Sequence, residues 1–104
     1  MRKLLHIGIP TKEKHPNMNY VPSMKLAITN PDESAHKIEW LNFDFDSPMP
    51  KLLQESTHLA YQVENLEEEL KGANILVPVT PLSENMKLAF IVEEGLPIEL
   101  IEIK

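Results

Sequence analysis

Apolar residues along this chain fall in short segments, alternating or continuous, separated by Pro, Asn, Asp and Gly. That punctuation predicts strands at Lys3 to Ile9, Met24 to Thr29, Lys37 to Phe43, His58 to Val63, Ile75 to Val79, Met86 to Val92 and Ile98 to Ile103. One helix stands out in "NLEEELKG". Asn65 can accept from the free N–H groups of a first turn, Glu67, Glu68 and Glu69 suit the positive end of the helix, Leu66 and Leu70 share a side, and Gly72 can leave the helix in a left-handed conformation. A weaker helical turn is expected in "DSPMPKLLQES", with Asp46 or Ser47 as cap and Pro48 in the first turn.

The pattern repeats. "SMKLAIT" from Ser23 returns as "NMKLAFIV" from Asn85, and each copy lies between two further matching segments. "HIGI" (His6 to Ile9) and "HLAY" (His58 to Tyr61) open the two halves. "KIEWL" (Lys37 to Leu41) and "PIELI" (Pro97 to Ile101) close them, with Glu39 and Glu99 fifteen and thirteen residues after Met24 and Met86. The shared order of His strand, Met-Lys-Leu-Ala strand and Glu strand is that of a duplicated supersecondary unit. It divides a single domain, residues 1–104, into module one (1–50) and module two (51–104).

Side-chain alternation gives the repeat chemical content. His6 shares a strand face with Gly8 while Leu5, Ile7 and Ile9 take the other; His58 shares a face with Ala60 and Gln62 while Leu59, Tyr61 and Val63 take the other. Each strand thus presents one bulky apolar face and one face of small or polar residues that carries a histidine. If the units form one curved sheet about a pseudo-twofold axis, His6, Glu39, His58 and Glu99 converge. Two imidazoles and two carboxylates suit a borderline divalent ion (Zn, Ni, Co, Mn or Fe) with water in the remaining positions, whereas Mg alone favours an all-oxygen site. His15 and His36 have no counterpart in the other half and are expected to be surface loop residues. Lys25 and Lys87 are equivalent in the repeat. If the His strands set the pattern, they share the cavity face with Ala27 and Ala89 and could clamp a substrate carboxylate; otherwise they are rim lysines that blunt the sheet. Trp40 and Phe43 are expected in packing.

Composition narrows the partners. The chain has 104 residues, a formal net charge of -6 and no cysteine, so disulfides, thiolate catalysis and Cys-ligated zinc are excluded. No run of Lys or Arg is long enough to neutralise a series of phosphates, which argues against nucleic acid. The apolar start "MRKLLHIGIP" is interrupted by His6 and stopped by Pro10, too short for a signal segment or a membrane span, so a cytoplasmic protein without a membrane role is expected. There is no G-x-S-x-G elbow, P-loop or G-x-G-x-x-G. The three glycines, Gly8, Gly72 and Gly95, are accounted for by close packing, a helix end and a hairpin turn.

Several stretches resemble the vicinal oxygen chelate superfamily, whose members are built from paired βαβββ modules and include glyoxalases, methylmalonyl-CoA epimerases, extradiol dioxygenases and antibiotic-resistance binding proteins. "KIEWLNFDFDSPMPKLLQESTHLAYQVENLEEEL" is similar to the epimerase run from the first-module ligand through a D-S-P turn and short helix to the second His strand and its following helix. "GLPIELIE" is similar to the closing strand, and "LLHIGIP" to the opening one. The resemblance implies an α+β fold, a curved mixed sheet with a metal-binding cleft. Position by position, the metal ligands fall on His6, Glu39, His58 and Glu99, and Glu99 is also the candidate catalytic base. It implies a metal-dependent isomerase or lyase of the epimerase or glyoxalase type, acting next to a carbonyl on a small oxygen-rich or dicarbonyl-type substrate. There a divalent ion holds two substrate oxygens while a carboxylate moves a proton. The alternative is a non-catalytic binding or resistance protein on the same fold.

Departures from the family pattern shape further expectations. "TKEKHPNMNYVPS" contains Pro16 and Pro22 and no helical period, so the first-module helix is expected to be reduced or missing. Its absence thins the cover over Leu5, Ile7 and Ile9 and suggests a homodimer. Lys25 stands where some epimerases carry a second catalytic Glu. The short loop from Pro78 to Asn85 and the absence of a basic cluster argue against a CoA substrate.

Overall fold

The structure is a computed structural model that describes residues 1–104. Module one supplies β1 (Lys3–Pro10), β2 (Asn19–Val21), β3 (Leu26–Ile28) and β4 (Ile38–Phe43), with a single 3-10 turn at Pro31–Glu33. A short helix, α1 (Lys51–Glu55), leads into module two: β5 (His58–Val63), α2 (Leu66–Leu70), β6 (Ile75–Pro81), β7 (Met86–Glu93) and β8 (Leu96–Ile103). The eight strands form one mixed sheet in the order β2-β3-β4-β1-β5-β8-β7-β6, curled into a half-barrel.

That order is symmetric about the antiparallel β1–β5 pair. On either side lies a parallel neighbour (β4 beside β1, β8 beside β5), then two antiparallel strands. Register obeys the same symmetry. Gly8 opposes Glu39 and Ala60 opposes Glu99, while Ile7 and Leu59 face one another across the central pair. The Met-Lys-Leu-Ala repeat sits less symmetrically. Leu26 pairs with Phe43, four residues beyond Glu39, whereas Leu88 pairs with Ile101, two beyond Glu99. The two copies are therefore offset by two residues, one full pleat, which keeps each leucine on the same face.

Two apolar clusters flank the sheet. On the concave side Leu53 of α1 packs with Ala60, Val77, Leu88, Phe90 and Ile101, and a pairing irregularity between Leu4 and His6 lets Leu5 join this cluster rather than the face of Ile7 and Ile9. On the convex side Leu66 of α2 packs with Val63, Ala89, Ile91, Ile98 and Leu100. Asn65 caps α2 by accepting from Glu68 N at 3.2 Å, and the buried Glu102 carboxylate accepts from Leu66 N at 3.0 Å, so two orphan donors of the first turn are satisfied. Module one has no helix between β1 and β2. Instead His15 of the connecting segment stacks on Trp40, ring centroids 4.8 Å apart and planes 12° from parallel.

Outside β5, strand ends differ from the expected ones by up to two residues, and three differences go further. β2 was not anticipated, being three residues long and too short for alternation to register. The third strand begins at Leu26 rather than Met24, because Met24 and Lys25 lie in a turn in which Lys25 takes φ 50°. α1 begins after Pro50, not at Asp46 or Ser47. The Ser47 hydroxyl donates to Met24 O at 2.6 Å and accepts from Met49 N, which fixes the approach to the helix without capping it. No helix is long and apolar enough to cross a membrane.

Candidate metal centre

The central strands place the four predicted ligands in two rows across the concave face. Glu39, Gly8 and His58 occupy one row on β4, β1 and β5; His6, Ala60 and Glu99 occupy the next on β1, β5 and β8. In each row a small residue separates a carboxylate from an imidazole, leaving both free to lean over it. One ligand atom from each of the four side chains lies within 4.8 Å of the other three. His58 Nε2 is 3.1 Å from Glu99 Oε1, and His6 Nε2 is 3.4 Å from that atom and 3.5 Å from Glu39 Oε1. Donors each about 2.0–2.2 Å from a shared ion stand roughly 3–4 Å from one another, so these separations match a ligand shell.

The electrostatics of the cluster point the same way. Burial acts to lower the His6 pKa, but Glu39 and Glu99 overcome it and hold the imidazole up at about 10. Burial acts to raise Glu99, but His58 and then His6 overcome that and hold the carboxyl down at about 2. The buried Glu99 carboxylate and the half-buried Glu39 carboxylate beside it thus favour a cation in the cluster. His6 Nε2 is nonetheless buried without a hydrogen-bond partner, an atom aimed at the centre of the cluster. An N2O2 set with an unpartnered ring nitrogen inside it fits a borderline divalent ion.

His58 is held unusually. Its Nδ1 is also buried without a hydrogen-bond partner, so the carbonyl or carboxylate that commonly orients a metal-binding imidazole is missing. Packing replaces it. The Phe90 ring meets His58 edge-on at 5.2 Å, His6 does so at 5.8 Å, and a methyl group built on Gly8 would lie 2.1 Å from the His58 ring. Of these steric partners, Phe90 is the one that the sequence reading does not place in the site. The spacing of "LAF" could have indicated Phe90, since Leu88 and Phe90 alternate onto one face.

A cavity of about 240 Å³ opens over the cluster. Apart from the four ligands, all eleven of its lining residues are hydrophobic, among them Leu26, Leu41, Leu88, Phe90 and Ile101. Two solved structures share this architecture. A hypothetical protein from Bacillus halodurans C-125 aligns over 99% of this chain and 95% of its own length, with TM-score 0.74 and 24% identity. Methylmalonyl-CoA epimerase from Mycobacterium tuberculosis aligns over 97% of this chain and 87% of its own, with TM-score 0.60 and 21% identity. The likeness is one of fold, an α+β curled mixed sheet. No protein-family model and no curated protein sequence matches the chain.

Lys25 and Lys87 are not brought to the site. Cross-strand partners share a face, and Glu99 is opposite Phe90, not Ala89, so it is the leucines and phenylalanine of the repeat that face the cavity while Lys87 and Ala89 face outward. Lys25 pairs with Asp46 at 2.7 Å, and Lys87 stands 3.7 Å from Glu102 and 3.9 Å from Glu67. The expectation of a lysine clamp fails because small residues mark the cavity face only on β1 and β5, where imidazoles need room. On β3 and β7 that face is filled with bulky apolar side chains. His36 is exposed, and His15 serves packing against Trp40.

Proposed function

We propose that this protein is a divalent-metal-dependent isomerase or lyase that moves a proton next to a carbonyl. The observation that carries the reading is the convergence of His6, Glu39, His58 and Glu99 on one point at the floor of an apolar-walled cavity. When bound there, the ion (Zn, Ni, Co, Mn or Fe) would supply a Lewis acid for two substrate oxygens. His6 and His58 on the central strands and Glu39 on β4 would hold it there.

Glu99 is assigned the proton transfer. It is the only one of the two carboxylates in hydrogen-bond contact with a site histidine, and it faces the apolar wall at Phe90. Its carboxylate would take the proton from the carbon beside the carbonyl and return it, the C–H electron pair being accommodated meanwhile toward the carbonyl oxygen. The epimerase likeness supports an isomerase-type reaction through fold alone.

One observation favours a second reading, a non-catalytic binding protein: the cavity holds no titratable residue besides the four ligands, so no acid or base is free of the metal. Metal analysis of the purified protein, followed by turnover of Glu99→Gln, separates the two. Catalysis predicts stoichiometric metal and loss of turnover in a folded variant. A binding role predicts ligand affinity that survives the substitution. Absence of bound metal after reconstitution overturns the catalytic reading.

A further inference from the structure

The wall of the cavity restricts what can sit above the metal centre, and this inference rests on the metal reading above. No Lys, Arg, amide or hydroxyl lines the space, and the two lysines once expected there are engaged outside it. The rim continues the apolar character. Val21 ends β2 and Met24 lies in the turn after it, Leu82 follows β6 and Met86 opens β7, and all four are partly or wholly exposed. Apolar side chains at the bases of two equivalent hairpins therefore border the site, while Ser23 and Ser83, Glu84 and Asn85 at the tips lie outside it.

Charge bookkeeping sets the ligand's formal charge. Two carboxylates, two neutral imidazoles and one divalent ion sum to zero, so the first negative charge of a ligand can rest on the ion, and a second would lie in an apolar pocket with no partner. Volume sets its size. At about 240 Å³ the cavity falls below the roughly 300 Å³ at the small end of ligand pockets, which admits a fragment rather than a cofactor-sized molecule. Eleven apolar lining residues reward a hydrocarbon body and leave a polar one with its groups unpaired.

We infer that the ligand is a small, hydrophobic-bodied molecule, neutral or singly charged, whose only polar groups are the oxygens that meet the ion. A dicarboxylate or a nucleotide-bearing thioester does not fit this description. The expectation of an oxygen-rich substrate is thereby narrowed: the oxygens belong to the chelating head alone.

Hydroxamates test this, because they present two adjacent oxygens on bodies that can be varied. Metal-reconstituted protein, its metal content first confirmed by elemental analysis after gel filtration, is titrated calorimetrically with acetohydroxamate, benzohydroxamate and 4-carboxybenzohydroxamate. Benzohydroxamate is expected to bind about tenfold or more tightly than acetohydroxamate, and at least about tenfold more tightly than its carboxylated analogue. Metal retained with equal affinities, or with the carboxylated probe preferred, overturns this inference and leaves the metal reading standing. Failure to retain metal overturns both.

Discussion

The two halves of this molecule share topology and ligand register, yet differ on both faces of the sheet. On the concave face the residue between carboxylate and imidazole is Gly8 in one row and Ala60 in the other. On the convex face, Leu100, Ala89 and Ile91 of module two lie buried under α2, whereas the corresponding surface of module one, with Ile7, Ile9, Ile38 and Trp40, is only half-buried. Duplication therefore constrained the ligand positions more tightly than the packing that supports them. The difference has a physical basis. Four donor atoms must meet within one coordination sphere, while an apolar sheet face can be covered by a helix, a loop or a single stacked ring.

The concave asymmetry gives the sharpest test. Ala60 shows that the row containing His6 tolerates a methyl group, whereas the same group at Gly8 would meet the His58 ring at 2.1 Å. His58 is sealed between Gly8 and Phe90 and has little room to retreat. Gly8→Ala is expected to destabilise the fold by about 3 kcal/mol through overpacking and to abolish stoichiometric metal binding. Ala60→Gly should leave metal binding intact. Chemical denaturation and metal analysis of both variants check the contrast, and equal behaviour would show that His58 is not positioned by contact with Gly8.

Next in size is the pH response of the metal-free chain. Glu99 is depressed to about 2 from an ordinary 4.5, so its contribution to stability is complete above pH 4.5 and is lost as pH falls through about 2. His6 is raised to about 10 from 6.5, so its contribution is complete below pH 6.5 and fades as pH rises through about 10. Metal-free protein should show maximal thermal stability between about pH 4.5 and 6.5, where both are full. Reconstituted protein should lose the alkaline decline, because the ion takes the place of the His6 proton, and calorimetry near neutral pH should record a proton released on metal binding. A flat profile in the metal-free chain would sink the ion-pair account.

The convex face comes third. Leu66 is fully buried between α2 and the sheet, and Leu66→Ala should cost about 3 kcal/mol by transfer and cavity terms while leaving the metal site assembled. Urea denaturation reads the loss, and metal stoichiometry reads the separation of the two faces. Loss of metal with Leu66→Ala would mean that the faces are coupled.

Much of this plan was legible in the sequence because its strongest signals are local. His58 to Val63 alternates cleanly, Asn65 with three following glutamates announces α2, and Glu94-Gly95 marks the β7–β8 hairpin, both residues taking positive φ. The repeat of His and Glu segments carried the long-range information, since symmetry turns one register into two. Facing of the lysines was not legible. Lys25 and Lys87 repeat perfectly in sequence, but strand parity on β3 and β7 is set by cross-strand partners, and those are decided only when Phe90 lands opposite Glu99. Nor could a three-residue strand such as β2, or the stacking of His15 on Trp40, be read from periodicity.

That stacked pair supplies the smallest effect and the last distinction between the modules. If the Thr11 to Met18 segment merely shields Trp40, the contact is between two half-buried rings, and aromatic pairs of this kind contribute about 0.5–1.5 kcal/mol. His15→Ala should then cost about 0.5 kcal/mol, several-fold less than Leu66→Ala, with metal affinity unchanged. His15→Phe, which keeps a stacked ring and removes the ring nitrogens, should restore the wild-type midpoint in urea. A loss for His15→Ala as large as that for Leu66→Ala would show that this segment does for module one what α2 does for module two, and that the two halves are more alike in energetics than their secondary structure indicates.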